Sequence, residues 1–146
     1  MVVHIHDMDD RAAVLTANVA FYRAFESLDL ARMEGVWLQN ACITCAHPGW
    51  HLLVGWGPVM ASWQRIFANS EVMRFTITEA HADVVGDLAW VVCTENLESS
   101  HGTETVIARL QATNVFQRSG GRWWLVHHHA STVSGPPSTG APDSMH

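Results

Sequence analysis

Two stretches of this chain hold side chains able to move protons. The first is Cys45-Ala46-His47-Pro48-Gly49-Trp50, where an apolar run stops at a histidine followed by proline. The second is Trp123-Trp124-Leu125-Val126-His127-His128-His129-Ala130-Ser131, a strand-like segment loaded with imidazole. An imidazole changes charge near neutral pH, so His47 can act as a general base without a large shift in pKa. Alternation along a strand puts His127 and His129 on one face with Trp123 and Leu125, and His128 on the other with Trp124 and Val126. On that phase His127 and His129 line an interior pocket, with ordinary packing or interface histidines as the alternative, and a one-residue slip of register would turn His128 inward instead. Their H-x-H spacing could bind a metal with His47 as third ligand, but no carboxylate supports such a set, and the reading is no metal and no cofactor. Glu95 interrupts the apolar strand Val91-Val92-Cys93-Thr94-Glu95. It is either a buried acid or base with a raised pKa or a carboxylate on the rim. Trp50 is either a lid or a loop tryptophan packed on helices. Trp37, Trp63, Trp90 and Trp123 have core spacing, with contact of one or two of them to a small apolar ligand as the alternative.

The elements that must position these groups read in order. From Asp9-Asp10 onward, Val14, Ala17, Phe21, Ala24, Phe25 and Leu28 recur at helical spacing. Asp29 looks like the N-cap of a short second helix with Leu30, Met33, Val36 and Trp37 on one side. Ala41 to Ala46 reads as a strand, broken at Pro48-Gly49, and His51 to Val54 as a short extended piece. A third helix starts at Gly57-Pro58 and buries Val59, Ser62, Trp63, Ile66 and Phe67. The period then becomes two. Met73–Val85, Leu88–Glu98, Thr105–Gln117 and Arg122–Thr132 form an antiparallel meander, with turns at Gly86-Asp87 and Gly120-Gly121. The fold class is α+β: a curved antiparallel sheet, cone-shaped, covered by three N-terminal helices. The domain spans 8–132, and the Ser/Pro/Gly-rich tail 133–146 is expected to be disordered.

Composition narrows the function. At 146 residues the chain is long enough for one domain with a core and a pocket. A net charge of −6 leaves no basic stripe for nucleic acid. No apolar run approaches a membrane span. The first residues lack the pattern of a signal peptide, so cytoplasm is expected. Three cysteines form no disulfide framework. Cys42 and Cys45, three apart in a strand, face opposite ways and read as buried, inert thiols.

The element order and local words resemble the nuclear transport factor 2-like superfamily, in its SnoaL-like and ketosteroid-isomerase-like branch. The resemblance rests on Leu28-Asp29-Leu30, the strand ending in His47-Pro48, Phe67-Ala68-Asn69-Ser70, the Gly86-Asp87 hairpin and the closing Trp-x-Leu-Val-His-x-His-x-Ser. It implies that His47 stands where the isomerases carry an aspartate base. It implies that Asn114, in Thr113-Asn114-Val115-Phe116, stands where they donate a hydrogen bond to the enolate; a neutral amide can do this. The family's oxyanion tyrosine falls at Phe21, while Tyr22 is turned by about 100° on the helix.

Two functions follow. One is a cofactor-independent isomerase, dehydratase or cyclase acting on an apolar carbonyl or hydroxy compound. In it His47 is the base, Asn114 the oxyanion donor, and His127, His129 or Glu95 the opposite acid or base. The other is a ligand-binding or assembly module, since the closing motif also resembles the association domain of calcium/calmodulin-dependent kinase II. Trp90, Thr94, Trp124 and Val126 then form an outer apolar patch, and a homodimer is expected under either function.

Overall fold

The protein is described here by a computed structural model covering residues 5–134, with side chains from residue 9 onward. The elements are α1 (Ile5–Ser27), α2 (Leu30–Glu34), β1 (Thr44–Ala46), β2 (Leu53–Val54), α3 (Trp56–Ala68), β3 (Val72–Val85), β4 (Leu88–His101), β5 (Glu104–Ser119) and β6 (Arg122–Thr132). The expected order holds. α1 starts earlier than its apolar stripe, and β1 is shorter than the run from Ala41 suggested, so Cys42 lies before the strand and is exposed, not buried as expected. Most of the expected tail lies outside the described residues.

The sheet order is β2-β1-β6-β5-β4-β3. β3 to β6 form the meander, and β1 joins its edge in parallel, with Thr44, Cys45 and Ala46 opposite His127, His128 and His129. That pairing brings the two imidazole-bearing stretches together. Two bulges bend the sheet. One lies in β3 between Thr78 and His81, where Glu79 has φ 52°. The other lies in β6, where Val115 pairs with His127 but the neighbouring Phe116 pairs with Leu125, so Val126 is an extra residue. Such insertions increase local twist and curvature.

The helices close the cone. α1 buries Val14, Asn18, Phe21, Tyr22, Ala24 and Phe25, and α3 buries Val59, Met60, Ser62, Trp63 and Phe67. Phe25 meets Trp63 edge-on at 4.7 Å and Phe75 at 4.6 Å. These pairs join α1, α3 and β3 through geometry that aromatic quadrupoles favour. Asp29 caps α2 as expected: its Oδ1 accepts from the Ala31 N–H at 2.9 Å. Replacing Asp29 with alanine should cost about 1 kcal/mol in a denaturant-unfolding measurement, because it removes the side-chain acceptor for the first turn of α2. No helix among the described residues is long and apolar enough to cross a membrane.

Candidate functional site

His47 follows β1 and is 3% exposed. The next residues form a tight turn, with the Trp50 N–H donating to the His47 carbonyl at 2.9 Å. Pro48 takes its second position and Gly49, at φ 81°, its third, the pattern of a type II turn that favours glycine there. The turn folds Trp50 back over His47, ring centroids 5.0 Å apart, with the Arg65 guanidinium 5.3 Å from the Trp50 ring on the outer side. On the inner side Trp63 meets His47 edge-on at 4.6 Å.

The His47 tautomer follows from its neighbours. Ser62 Oγ donates its single hydrogen to the Val59 carbonyl at 2.6 Å. Its 2.8 Å contact with His47 Nε2 must therefore carry a hydrogen from the imidazole. Nε2 is the donor, and Nδ1 keeps a lone pair. Burial pushes the His47 pKa down to about 4, so the ring is neutral at physiological pH. Cys45 Sγ lies 3.6 Å from Nε2, and burial raises the pKa of that thiol.

A second polar chain crosses the interior. The Tyr22 hydroxyl donates to Glu95 Oε2 at 2.5 Å. It can then only accept from Asn114, whose Nδ2 lies 3.1 Å away. The other hydrogen of that nitrogen goes to Asn18 Oδ1 at 2.8 Å. This orientation leaves Asn114 Oδ1 to accept from His128 Nδ1 at 2.6 Å. The chain His128–Asn114–Tyr22–Glu95 thus links β6, β5, α1 and β4, and every member is at most 2% exposed. Burial raises the Glu95 pKa to about 7, partly opposed by the tyrosine hydrogen bond. Burial and the Glu95 carboxylate raise the tyrosine. Burial, then the nearby His47, keep His128 well below its ordinary range.

The structure joins Asn114, Tyr22 and Glu95 in one chain that ends at His128, whose ring is 6.3 Å from that of His47, and Trp50 covers His47. It does not bring in His127 or His129. The inserted residue at Val126 reverses the phase of β6: Trp123 and Leu125 face inward, and beyond the bulge so does His128. His127 is half-buried on the other face, bonded through Nδ1 to Thr44 Oγ1 at 2.7 Å, and His129 is exposed. The register is thus the slipped one: the bulge turns His128 inward and leaves His127 and His129 on the other face. Their pair and His47 lie on opposite faces and do not converge. The Tyr22 hydroxyl reaches the interior because α1 buries residues 21 and 22 together. Both amide hydrogens of Asn114 are already engaged, so it holds the chain in place and has no free hydrogen for an oxyanion.

Trp37 is buried with its indole N–H on Met33 Sδ at 3.3 Å. Trp123 lies away from His47, on a groove of about 370 Å³ walled by α1 and Phe116. A groove of about 440 Å³ lies beside Thr44 and His127. Neither reaches His47 or Asn114, because Trp37, Trp63, Phe21 and Phe116 fill the interior where an open pocket was expected. Of the expected outer patch, Thr94 is 3% exposed, Trp124 and Val126 are half-buried, and Trp90 lies open beside Val92.

Sequence reasoning did not pick out Asn18 or Ser62 as site residues, and it left Trp63 as a core tryptophan and His128 as the register alternative. Asn18 had a legible signal, a polar residue four after Val14 and four before Tyr22 on a buried helix face. Trp63 carries a further mark: its Nε1 is the one buried side-chain nitrogen or oxygen without a hydrogen-bond partner among the described residues. Leaving such a donor unmade costs about 1–3 kcal/mol.

Known proteins place this architecture. A presumed dehydratase of the nuclear transport factor 2-like family from Streptomyces avermitilis is 40% identical; the match covers 87% of this chain and 98% of that one, with a TM-score of 0.82. A presumed calcium/calmodulin-dependent protein kinase type II association domain from Thiobacillus denitrificans is 33% identical over 81% of this chain and 93% of that one, with a TM-score of 0.72. The F-box protein SKIP8 of Arabidopsis thaliana is 29% identical over 121 residues, 83% of this chain. The chain spans half the length of that curated relative. The SnoaL-like domain model matches residues 14–135, which takes in α3, the full sheet and all the polar side chains described above. The chain is a member of the SnoaL-like family within the nuclear transport factor 2-like superfamily.

Proposed function

We propose that the protein is a cofactor-independent acid–base catalyst of the dehydratase or isomerase class, acting on a small apolar carbonyl compound. The observation that carries this reading is the state of His47: neutral, buried, held through Nε2 by Ser62, and left with an unprotonated Nδ1. That nitrogen would take a proton from the carbon next to the substrate carbonyl. It would return the proton to another carbon in an isomerisation, or to a departing hydroxyl that leaves as water in a dehydration. Glu95, Tyr22, Asn114 and His128 would hold the opposite wall rigid. A ligand would have to displace Trp50, which is 37% exposed and tethered by a short turn, and part His47 from Trp63, because the packed interior has no open space between those two rings. The likeness to a presumed dehydratase at 40% identity supports the reaction class.

A second reading is an assembly or binding module. It is supported by the outer sheet face, where Trp90 and Val92 are 37% and 39% exposed, and by the likeness to a presumed association domain. A homodimer through that face belongs to both readings.

The test is a thermal-shift screen of cyclic ketones and β-hydroxy ketones against the wild type and His47→Gln. A ligand at a hundred times its dissociation constant stabilises by about 2.7 kcal/mol. Hits that turn over in the wild type alone support the enzyme. A screen without hits, with wild type and His47→Gln equally stable, favours the assembly module.

A further inference from the structure

Any carbonyl oxygen that enters beside His47 needs a hydrogen-bond donor, and the interior has few free. The Ser62 hydroxyl is used by Val59, the Tyr22 hydroxyl by Glu95, and both Asn114 hydrogens by Asn18 and Tyr22. The His47 Nε2 hydrogen goes to Ser62, the His128 Nδ1 hydrogen to Asn114, and the Trp37 indole N–H to Met33. The Trp63 indole N–H has no partner among the described residues. Its residue is fully buried, with its ring 4.6 Å from His47 and 5.9 Å from His128.

We propose that the Trp63 indole N–H is the donor that receives the ligand's oxygen, so that the interior site selects molecules carrying a carbonyl acceptor on an apolar frame. This rests on the reading of the His47 region as a ligand site and replaces Asn114 as its donor. α3 then supplies two neighbouring functions: Ser62 fixes the base, and Trp63 binds the group whose charge rises when the base takes a proton. An indole N–H is a donor only and needs no change of protonation to act. In a dry site such a fixed dipole is not weakened by competing water.

The experiment pairs 2-tetralone with tetralin, the same frame without the oxygen. Both are titrated into ¹⁵N-labelled wild type and Trp63→Phe, which keeps an aromatic wall but removes the N–H. The Trp63 indole signal, identified by its loss in the variant, should move downfield with 2-tetralone and stay in place with tetralin. The preference for the ketone should fall about tenfold in the variant, the equivalent of one hydrogen bond. If both compounds bind while the Trp63 signal and the preference stay unchanged, Trp63 is not the donor and the site reading survives. If neither binds the wild type, the site reading falls and takes this inference with it. A cross-peak from the Trp63 N–H to a long-lived water, kept on adding 2-tetralone, would overturn the inference by giving the donor to a structural water. Should Trp63→Phe fail to fold, the wild-type signal decides alone.

Discussion

Glu95→Gln should stabilise the protein by about 3 kcal/mol at pH 8 and by almost nothing at pH 4.5. In the native state the carboxyl titrates near pH 7 because it is buried, against 4.5 in an exposed chain. A group raised in this way favours folding while it is protonated. That contribution is fully present below pH 4.5 and is lost as pH rises through 7. Each unit of difference is worth about 1.4 kcal/mol, so the full interval gives about 3 kcal/mol. Glutamine is neutral throughout and can still accept the Tyr22 hydroxyl, so the variant keeps the hydrogen bond and loses the desolvated charge. Chemical denaturation at pH 4.5, 6 and 8 measures the difference directly. A constant gain at all three values would mean that glutamine packs better and that the charge plays no part.

His47→Gln should show the opposite pH signature and a large loss of turnover. The His47 pKa falls from 6.5 in an exposed chain to about 4 in the native state. Its contribution is present above pH 6.5 and is lost as pH falls through 4, because only the unfolded chain binds the proton in that interval. The wild type should therefore lose about 3 kcal/mol on acidification from this residue alone, and the variant should not. The glutamine amide can donate to Ser62 as Nε2 does, so the α3 contact survives while the basic nitrogen disappears. Turnover of any substrate found in the screen should drop by about 10²–10⁴-fold, the usual contribution of a positioned base. Acid tolerance gained with turnover retained would make His47 a structural histidine. Between pH 4.5 and 6.5 the Glu95 and His47 slopes oppose each other, so wild-type stability should be flatter there than in either variant.

The fold was legible because its signals are local. The 3.6-residue stripe from Val14 to Phe25, the Asp29 cap and the glycine turns at 86 and 120 each act within a few residues. His47 was legible because an imidazole before Pro48 sits at a strand end. The inward histidine was not, because facing depends on counting by twos, and one inserted residue at Val126 resets the count without any glycine or proline to announce it. The Glu95–Tyr22 bond was hidden for a different reason. It joins residues 73 apart, and its existence depends on how α1 rolls against β4, which neither element encodes alone.

The extra residue in β6 also sets where this strand could lose a residue without changing which side chains face inward. Before it, Leu125 bonds to Val36 and Leu38; after it, His127 to Ala46-facing His129 run beside β1. Each half keeps its own set of inward side chains. Losing Val126 would leave Leu125 inward, His127 outward and His128 inward, as they are now. Losing a residue elsewhere in the strand would invert one half and push an imidazole or an indole out of the interior. Position 126 is therefore where a gap belongs when this strand is lined up with a relative one residue shorter, and where such a deletion is tolerated at the least expense to the site.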